Sequence, residues 1–254
     1  MSDAASRILR SDKHFWHRYT EIYEPILARM ADVRLIVEIG VFRGDSIAWL
    51  AERFDGAAVV GVDILPVQPG WPVAPGISYR QADQGDRVAM AGVFDTLPAA
   101  PDLVIEDGSH IPQHQATSLA EGFARLREGG LYILEDICTS HPLTAAFAHH
   151  ALENGRQLPT TLHVLLALQH LRDTGGSLEP EVVAALAHPA FLSPADIALL
   201  WQQAARIEIH KRTKLPLSCY ACGTSDFDYV AWTCACGAAL YEPSNSMTAL
   251  IWKR

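Results

Sequence analysis

The chain has 254 residues, with 20 Lys and Arg against 29 Asp and Glu, a formal charge of −9, and 49% hydrophobic residues. So apolar a composition excludes a disordered chain, and the length suits one large or two small domains with a real core. The acidic balance argues against bulk nucleic-acid binding, which rests on clustered Lys and Arg.

Residues 14–30 place Phe15, Tyr19, Ile22, Ile26, Leu27 and Met30 at helical spacing, which predicts a helix. VRLIVEI (33–39) is a short apolar run that reads as a strand, and residues 44–54 follow as a helix with Ile47, Leu50, Ala51 and Phe54 on one side. AAVVGVDI (57–64) and ISYRQA (77–82) read as the next two strands, with a short helix then running to about Leu97. DLVIED (102–107), a helix over 112–128 and LYILED (131–136) complete five strands alternating with helices. Such alternation predicts βαβ units and a parallel sheet covered on both faces. Residues 142–204 then read as three or four helices with no strand between them. RIEIHKR (206–212) and MTALIWK (247–253) pair as closing antiparallel strands. The expected fold is therefore a Rossmann-like, doubly wound, mostly parallel seven-stranded sheet. It divides into an α/β core (1–141), a helical insertion (142–205) acting as a lid or a homo-oligomer contact, and a closing segment (206–254). No apolar run reaches the roughly 18–20 residues of a membrane helix, and MSDAASRILRSDK lacks the apolar core of a signal peptide. A cytoplasmic enzyme is the expectation.

Four of the five cysteines, Cys219, Cys222, Cys234 and Cys236, fall between the closing strands in the turns CYACG and CACG. Four thiolates suit a tetrahedral, structural zinc ion, which would staple the connection 218–242. An unsupported loop of that length is improbable in a compact domain.

Acids stand at the ends of the predicted strands: Glu38, Asp63, Asp83, Asp107, and Glu135 with Asp136. Ligands of open α/β sheets bind outside those ends. The first turn, Glu38-Ile-Gly40-Val-Phe-Arg-Gly44-Asp45-Ser46, is not G-x-G-x-x-G, which disfavours a dinucleotide cradle. Its E-x-G-x-x-x-G form looks like the first motif of class I S-adenosylmethionine (SAM) methyltransferases. Asp63, at the end of the second strand, can accept both hydroxyl protons of an adenosine ribose.

DLVIEDGSHIPQHQ (102–115) and GGLYILEDI (129–137), with SDKHFWHRYTEIYE (11–24) and VEIGVFRGDS (37–46), resemble the metal-dependent macrolide-sugar O-methyltransferases, a family that includes proteins named after cephalosporin hydroxylation. The resemblance covers roughly residues 11–141 and the closing strands. It implies SAM as methyl donor, held at Glu38, Gly40, Gly44, Ser46, Asp63 and Asp83. It also implies Mg²⁺ on Asp107, Glu135 and Asp136, with His110 as base, and His17 and Tyr19 near the cofactor. Glu106 departs from the Asp usual there. Hard cations favour such all-oxygen sets, and adjacent strand ends lie about 4.8 Å apart. Glu135 and Asp136 can both be ligands only if the chain has already turned at Asp136. The expected acceptor is a hydroxyl of a small molecule, with no nucleic acid and no membrane involved. A SAM-dependent enzyme acting on RNA or protein, and a SAM-fold protein without methyl transfer, are the alternatives; Lys211, Arg212 and Lys214 form the only small basic run in favour of RNA.

Overall fold

The computed structural model describes residues 3–242 and 244–254, so the first two residues of the expected 1–141 core, and Pro243, lie outside the described residues. Five parallel strands, β1 (Leu35–Ile39), β2 (Ala58–Asp63), β3 (Ile77–Gln81), β4 (Leu103–Glu106) and β5 (Leu131–Leu134), are extended by two closing strands, β8 (Ala204–Lys211) and β11 (Met247–Lys253). The sheet order is β3-β2-β1-β4-β5-β11-β8, with β11 antiparallel to both neighbours. Between β5 and β8 a two-residue hairpin pairs β6 (Leu152–Glu153) with β7 (Arg156–Gln157). A second, β9 (Phe227–Asp228) with β10 (Thr233–Cys234), lies between β8 and β11.

Side chains alternate across the sheet and feed two cores, because successive strand residues point to opposite faces. On one face Val37, Ile39, Val60, Val104, Tyr132 and Leu134 pack with α5 (Arg87–Asp95) and α6 (Pro112–Arg125). On the other, Ile36, Val59, Leu103, Ile105 and Ile133 pack with α4 (Asp45–Arg53) and with Tyr19, Tyr23 and Leu27 near the N-terminus. The doubly wound architecture expected from the apolar runs is thus what forms. Among the described residues no helix is long and apolar enough to cross a membrane.

Two local differences have plain causes. The predicted helix 14–30 is broken: after α1 (Asp3–Leu9), α2 (Asp12–Phe15) is capped by Ser11, and α3 (Tyr19–Leu27) starts after Arg18, whose φ is 58°. A left-handed residue cannot continue a helix, so the chain turns and α2 dips toward the strand ends. Residues 142–204 contain the β6–β7 hairpin where no strand was expected. Its turn, Asn154-Gly155, has φ of 51° and 75°, the conformation that Asn-Gly supplies most readily.

The remaining helices of that stretch are α7 (Ala145–His150), α8 (Thr161–Asp173), α9 (Pro180–Leu186) and α10 (Pro194–Gln203). Leu162, Leu165 and Leu168 of α8 and Ile197 and Leu200 of α10 are buried in the same core as β5 and α6. Arg87 at the start of α5 clamps α10 down: it makes two bonds to Asp196 and one to Glu121 of α6.

Candidate active site

Gly40 ends β1 at φ 92°, and a Cβ there would overlap the carbonyl oxygen of Asp107. Only glycine lets the two strand ends come this close, so the close approach is between backbones. The ladder continues past the strands: Asp107 N–H donates to Ile39 O at 2.8 Å, and Glu135 N–H to Glu106 O at 2.9 Å. Asp107 and Glu135 therefore stand side by side.

Their side chains meet on a residue that the sequence reading passed over. Lys13, buried, places Nζ 2.5 Å from Asp107 Oδ2, 2.8 Å from Glu135 Oε1 and 3.4 Å from Glu38 Oε1. Burial would lower its pKa, but Asp107, Glu135 and Glu38 outweigh that and raise it well above the usual value. The three carboxylates thus favour the charged ammonium. Glu38, wholly buried, also accepts from Ser46 Oγ at 2.7 Å, and burial raises its pKa.

Asp107 turns its other oxygen to a second group. His110 Nε2 lies 3.9 Å from Asp107 Oδ1 and 3.8 Å from Asp136 Oδ2. The ligand atoms of Asp107, His110 and Asp136 all fall within 4.8 Å of one another. Asp136 reaches them because the chain has left the strand, at φ 49°. His110 is likewise left-handed, at φ 55°. Two non-glycine residues in that sparsely populated region, at one site, mark stored strain of the kind functional sites carry. Tyr19 donates its hydroxyl to Asp136 Oδ1 at 2.6 Å, and His17 Nδ1 is 3.4 Å from the same oxygen. Burial would raise the Asp136 carboxyl, but His17, His110 and the Tyr19 bond hold it below its usual range. Burial would lower His110, but Asp136, Asp107 and Glu106 outweigh it and raise its pKa.

Two carboxylates with a neighbouring imidazole suit a divalent cation that keeps several of its waters, as Mg²⁺ does. The Nδ1 atom of His110 is buried without a partner, consistent with a group whose polar neighbours are incomplete. Glu135 lies outside this trio and faces Lys13. Glu106 points to the opposite side, where Gln84 Nε2 and, at 3.2 Å, Gly108 N–H donate to its Oε1. Burial pushes the Glu106 pKa up to about 7.

Two cavities open at the strand ends. One, of about 440 Å³, is bounded by Asp63, Ile64, Leu65, Asp83, Gln84 and Ser109. Asp63 spans its loop by accepting from Val41 N–H and Leu65 N–H, each at 2.9 Å, while Asp83 accepts from Gly85 N–H at 2.8 Å. The exposed Ile64 and Leu65 give it an apolar wall. The second, of about 300 Å³, is bounded by Arg10, Ser11, Lys13, Arg43, Asp45 and Ser46. Gly40, Phe42 and Asp107 border both, so the two adjoin, with Asp107 between them. Gly44 lies at φ 72° in the turn before α4, beside Pro72. Neither cavity has a lining residue from 142–204 among the described residues.

The four cysteines come together as expected. Cys219 and Cys236 Sγ are 3.7 Å apart and Cys222 and Cys234 Sγ 3.5 Å, with all four sulfurs within 4.8 Å of one another. Sulfurs at tetrahedral corners about 2.3 Å from a zinc ion would be about 3.8 Å apart. The set fits that ion.

No protein-family model matches the chain. It is 36% identical over 139 residues to the 8-demethyl-8-alpha-L-rhamnosyl tetracenomycin-C 2'-O-methyltransferase of Streptomyces olivaceus, an alignment covering 52% of this chain and 36% of that protein. It is 27% identical over 230 residues to the 3'-O-methyltransferase acting on the 2-methoxy-rhamnosyl tetracenomycin of the same organism, covering 87% of this chain and 56% of the other. The chain thus spans between about a third and somewhat over half of these two curated relatives. Among solved structures, the MycE methyltransferase of the mycinamycin biosynthetic pathway, in complex with Mg and SAH, superposes with a TM-score of 0.63 at 20% identity, over 99% of this chain and 54% of the other. By sequence the chain is related to sugar O-methyltransferases of natural-product pathways, and by architecture it has the fold of such a methyltransferase.

Proposed function

We propose that the chain transfers the methyl group of SAM to a hydroxyl of a small molecule, a sugar moiety by the chemistry of its relatives, with the help of a divalent cation. The observation carrying this reading is that Asp107, which borders both cavities at the strand ends, also converges with His110 and Asp136. Asp63 would accept from the ribose hydroxyls, with Ile64 and Leu65 against the base. Gly40, Gly44 and Ser46, around the buried Glu38, would border the amino-acid end of the donor, and Asp83 the base end.

Asp107 and Asp136 are the carboxylates that would hold the cation, which when bound lowers the pKa of an acceptor hydroxyl. Glu135 serves this set through Lys13: it fixes the ammonium, and the ammonium fixes Asp107. His110 Nε2, within 4 Å of both carboxylates, is placed to take the acceptor's proton. Tyr19 and His17 hold Asp136 from behind. Much of the rate would come from holding acceptor and donor in line.

The test is methyl transfer from labelled SAM to rhamnosylated acceptors, with the protein first stripped by a chelator and then given Mg²⁺. Activity lost and restored is expected. His110→Ala is expected to lower turnover about 100-fold or more while leaving SAM affinity unchanged. Incorporation indifferent to the chelator, or directed to RNA or protein instead of glycosides, would refute the reading.

A further inference from the structure

We infer that the four-cysteine site is a metal clamp for donor binding: the ion fixes Tyr220 on the wall of the groove, over the amino-acid end of SAM. The inference rests on the donor placement proposed above and adds to it a part that the Cys-rich segment plays.

Tyr220 stands between two of the four sulfur ligands, in Cys219-Tyr220-Ala221-Cys222. It borders the smaller cavity together with Phe15, Phe42 and Asp107. Tyr220 is 61% exposed, and its ring's aromatic neighbour is Trp16, at 6.0 Å between centroids. A side chain so exposed, with one aromatic neighbour, takes its position mainly from its backbone. The backbone in turn is held by turn bonds, Gly223 N–H to Cys219 O and Cys219 N–H to Thr224 O, each at 2.8 Å, and by little apolar burial. The buried residues of this segment's apolar cluster are Cys219, Cys234 and Leu240, two of which are ligands. Its hairpin, β9 with β10, is two residues long on each side. A core this small orders a chain only with a metal or a disulfide, and the sulfur spacing is that of a metal site.

The clamp is joined to the arm that carries Lys13. Leu217 N–H donates to Phe15 O at 2.7 Å, and the buried Arg212 donates to Leu240 O at 2.6 Å and to Trp16 O. Ion, turn and arm therefore form one wall. What the wall faces is a cavity with cations (Arg10, Lys13, Arg43) and carboxylates (Asp12, Asp45, Asp107). That mixture matches a zwitterionic α-amino acid group, whose carboxylate and ammonium each need an opposite charge. The neighbouring cavity, with its apolar residues and Asp63, matches the nucleoside.

The two halves of the donor separate the outcomes. Metal content of the purified chain should be one zinc per chain, and calorimetry is then run with S-adenosylhomocysteine and with 5'-methylthioadenosine, which lacks the amino-acid end. Tyr220→Ala, a surface change that leaves the ligands in place, should keep zinc and weaken S-adenosylhomocysteine about tenfold while methylthioadenosine binds as before. Cys236→Ser should lower zinc content and produce the same selective loss. Unchanged S-adenosylhomocysteine affinity in Tyr220→Ala, equal weakening of both ligands, or a zinc-free parent that binds as tightly would overturn the inference and leave the donor site standing. A parent that binds neither ligand would overturn both the donor placement and the clamp.

Discussion

Replacing Lys13 by Met keeps most of the apolar stem of the side chain and removes the ammonium, its charge and its hydrogen bonds to Asp107 and Glu135 together. At an effective dielectric constant of about 20, each contact of 2.5–3.4 Å corresponds to a Coulomb attraction of about 5–7 kcal/mol. Most of that is offset by the cost of burying the ammonium. The net consequence of breaking such a site is set instead by what is left behind, and removing one partner of a buried pair costs about 3–5 kcal/mol. Glu135 is 1% exposed and Glu38 wholly buried, so neither can turn to water. Lys13→Met should therefore lower stability by about 3–5 kcal/mol at neutral pH. In a chain of this size the midpoint of thermal unfolding would fall by roughly 6–20 °C. The linkage supports measuring near neutrality: a lysine whose folded pKa is raised keeps its stabilising contribution below its ordinary value and loses it only as pH climbs through the raised one. The assay is urea unfolding of Lys13→Met, Glu135→Gln and the double variant. If the ammonium and the carboxylate act on each other, Glu135→Gln should restore part of the loss in the Lys13→Met background, giving a coupling energy above about 1 kcal/mol. A loss below about 1 kcal/mol for Lys13→Met, or strictly additive losses in the double variant, would refute the argument.

Three other substitutions probe separate parts of the molecule. Asp107→Asn should abolish the Mg²⁺ dependence or the methyl transfer itself; a variant that answers to Mg²⁺ like the parent would remove Asp107 from the ligand set. Gly40→Ala places a Cβ on the Asp107 carbonyl at a φ of 92°, so it should cost several kcal/mol, read as loss of soluble protein or a large drop in thermal midpoint. Asp196 is held below its usual carboxylate pKa: burial would raise it, but bonds from Arg87 and Ser193 prevail. Its contribution to stability is present above the unfolded value of about 3.9 and lost as pH falls through the lowered folded one. Asp196→Asn should thus be less stable than the parent at neutral pH, with a shallower fall in unfolding free energy between about pH 4 and pH 2. Parallel curves would show that the Arg87 clamp does not titrate.

The order and type of elements were written in local pattern. Apolar runs ending in an acid or a glycine form strands wherever both faces are covered, and β1, β2, β4 and β5 are of that kind. The four cysteines were legible for the same reason: a chelating ion asks for residue types and close spacing, both properties of one short segment. The pairing of Asp107 with His110 was local too, three residues apart in one loop.

Tertiary structure decided what depended on distant parts of the chain meeting. Lys13 reads from sequence as a charge near the N-terminus, yet its partners Asp107 and Glu135 lie 94 and 122 positions away. Only the break at Arg18 aims α2 at the strand ends, and helical periodicity through residues 14–30 concealed it. The division of labour between adjacent acids was equally out of reach. Glu135, still in register with the sheet, faces the ammonium, while Asp136, one residue on and left-handed, faces His110. A sequence specifies which charges exist and their order along the chain. Because electrostatic energy depends on separation and burial, which of them pair is fixed only when the fold brings their atoms within a few ångströms.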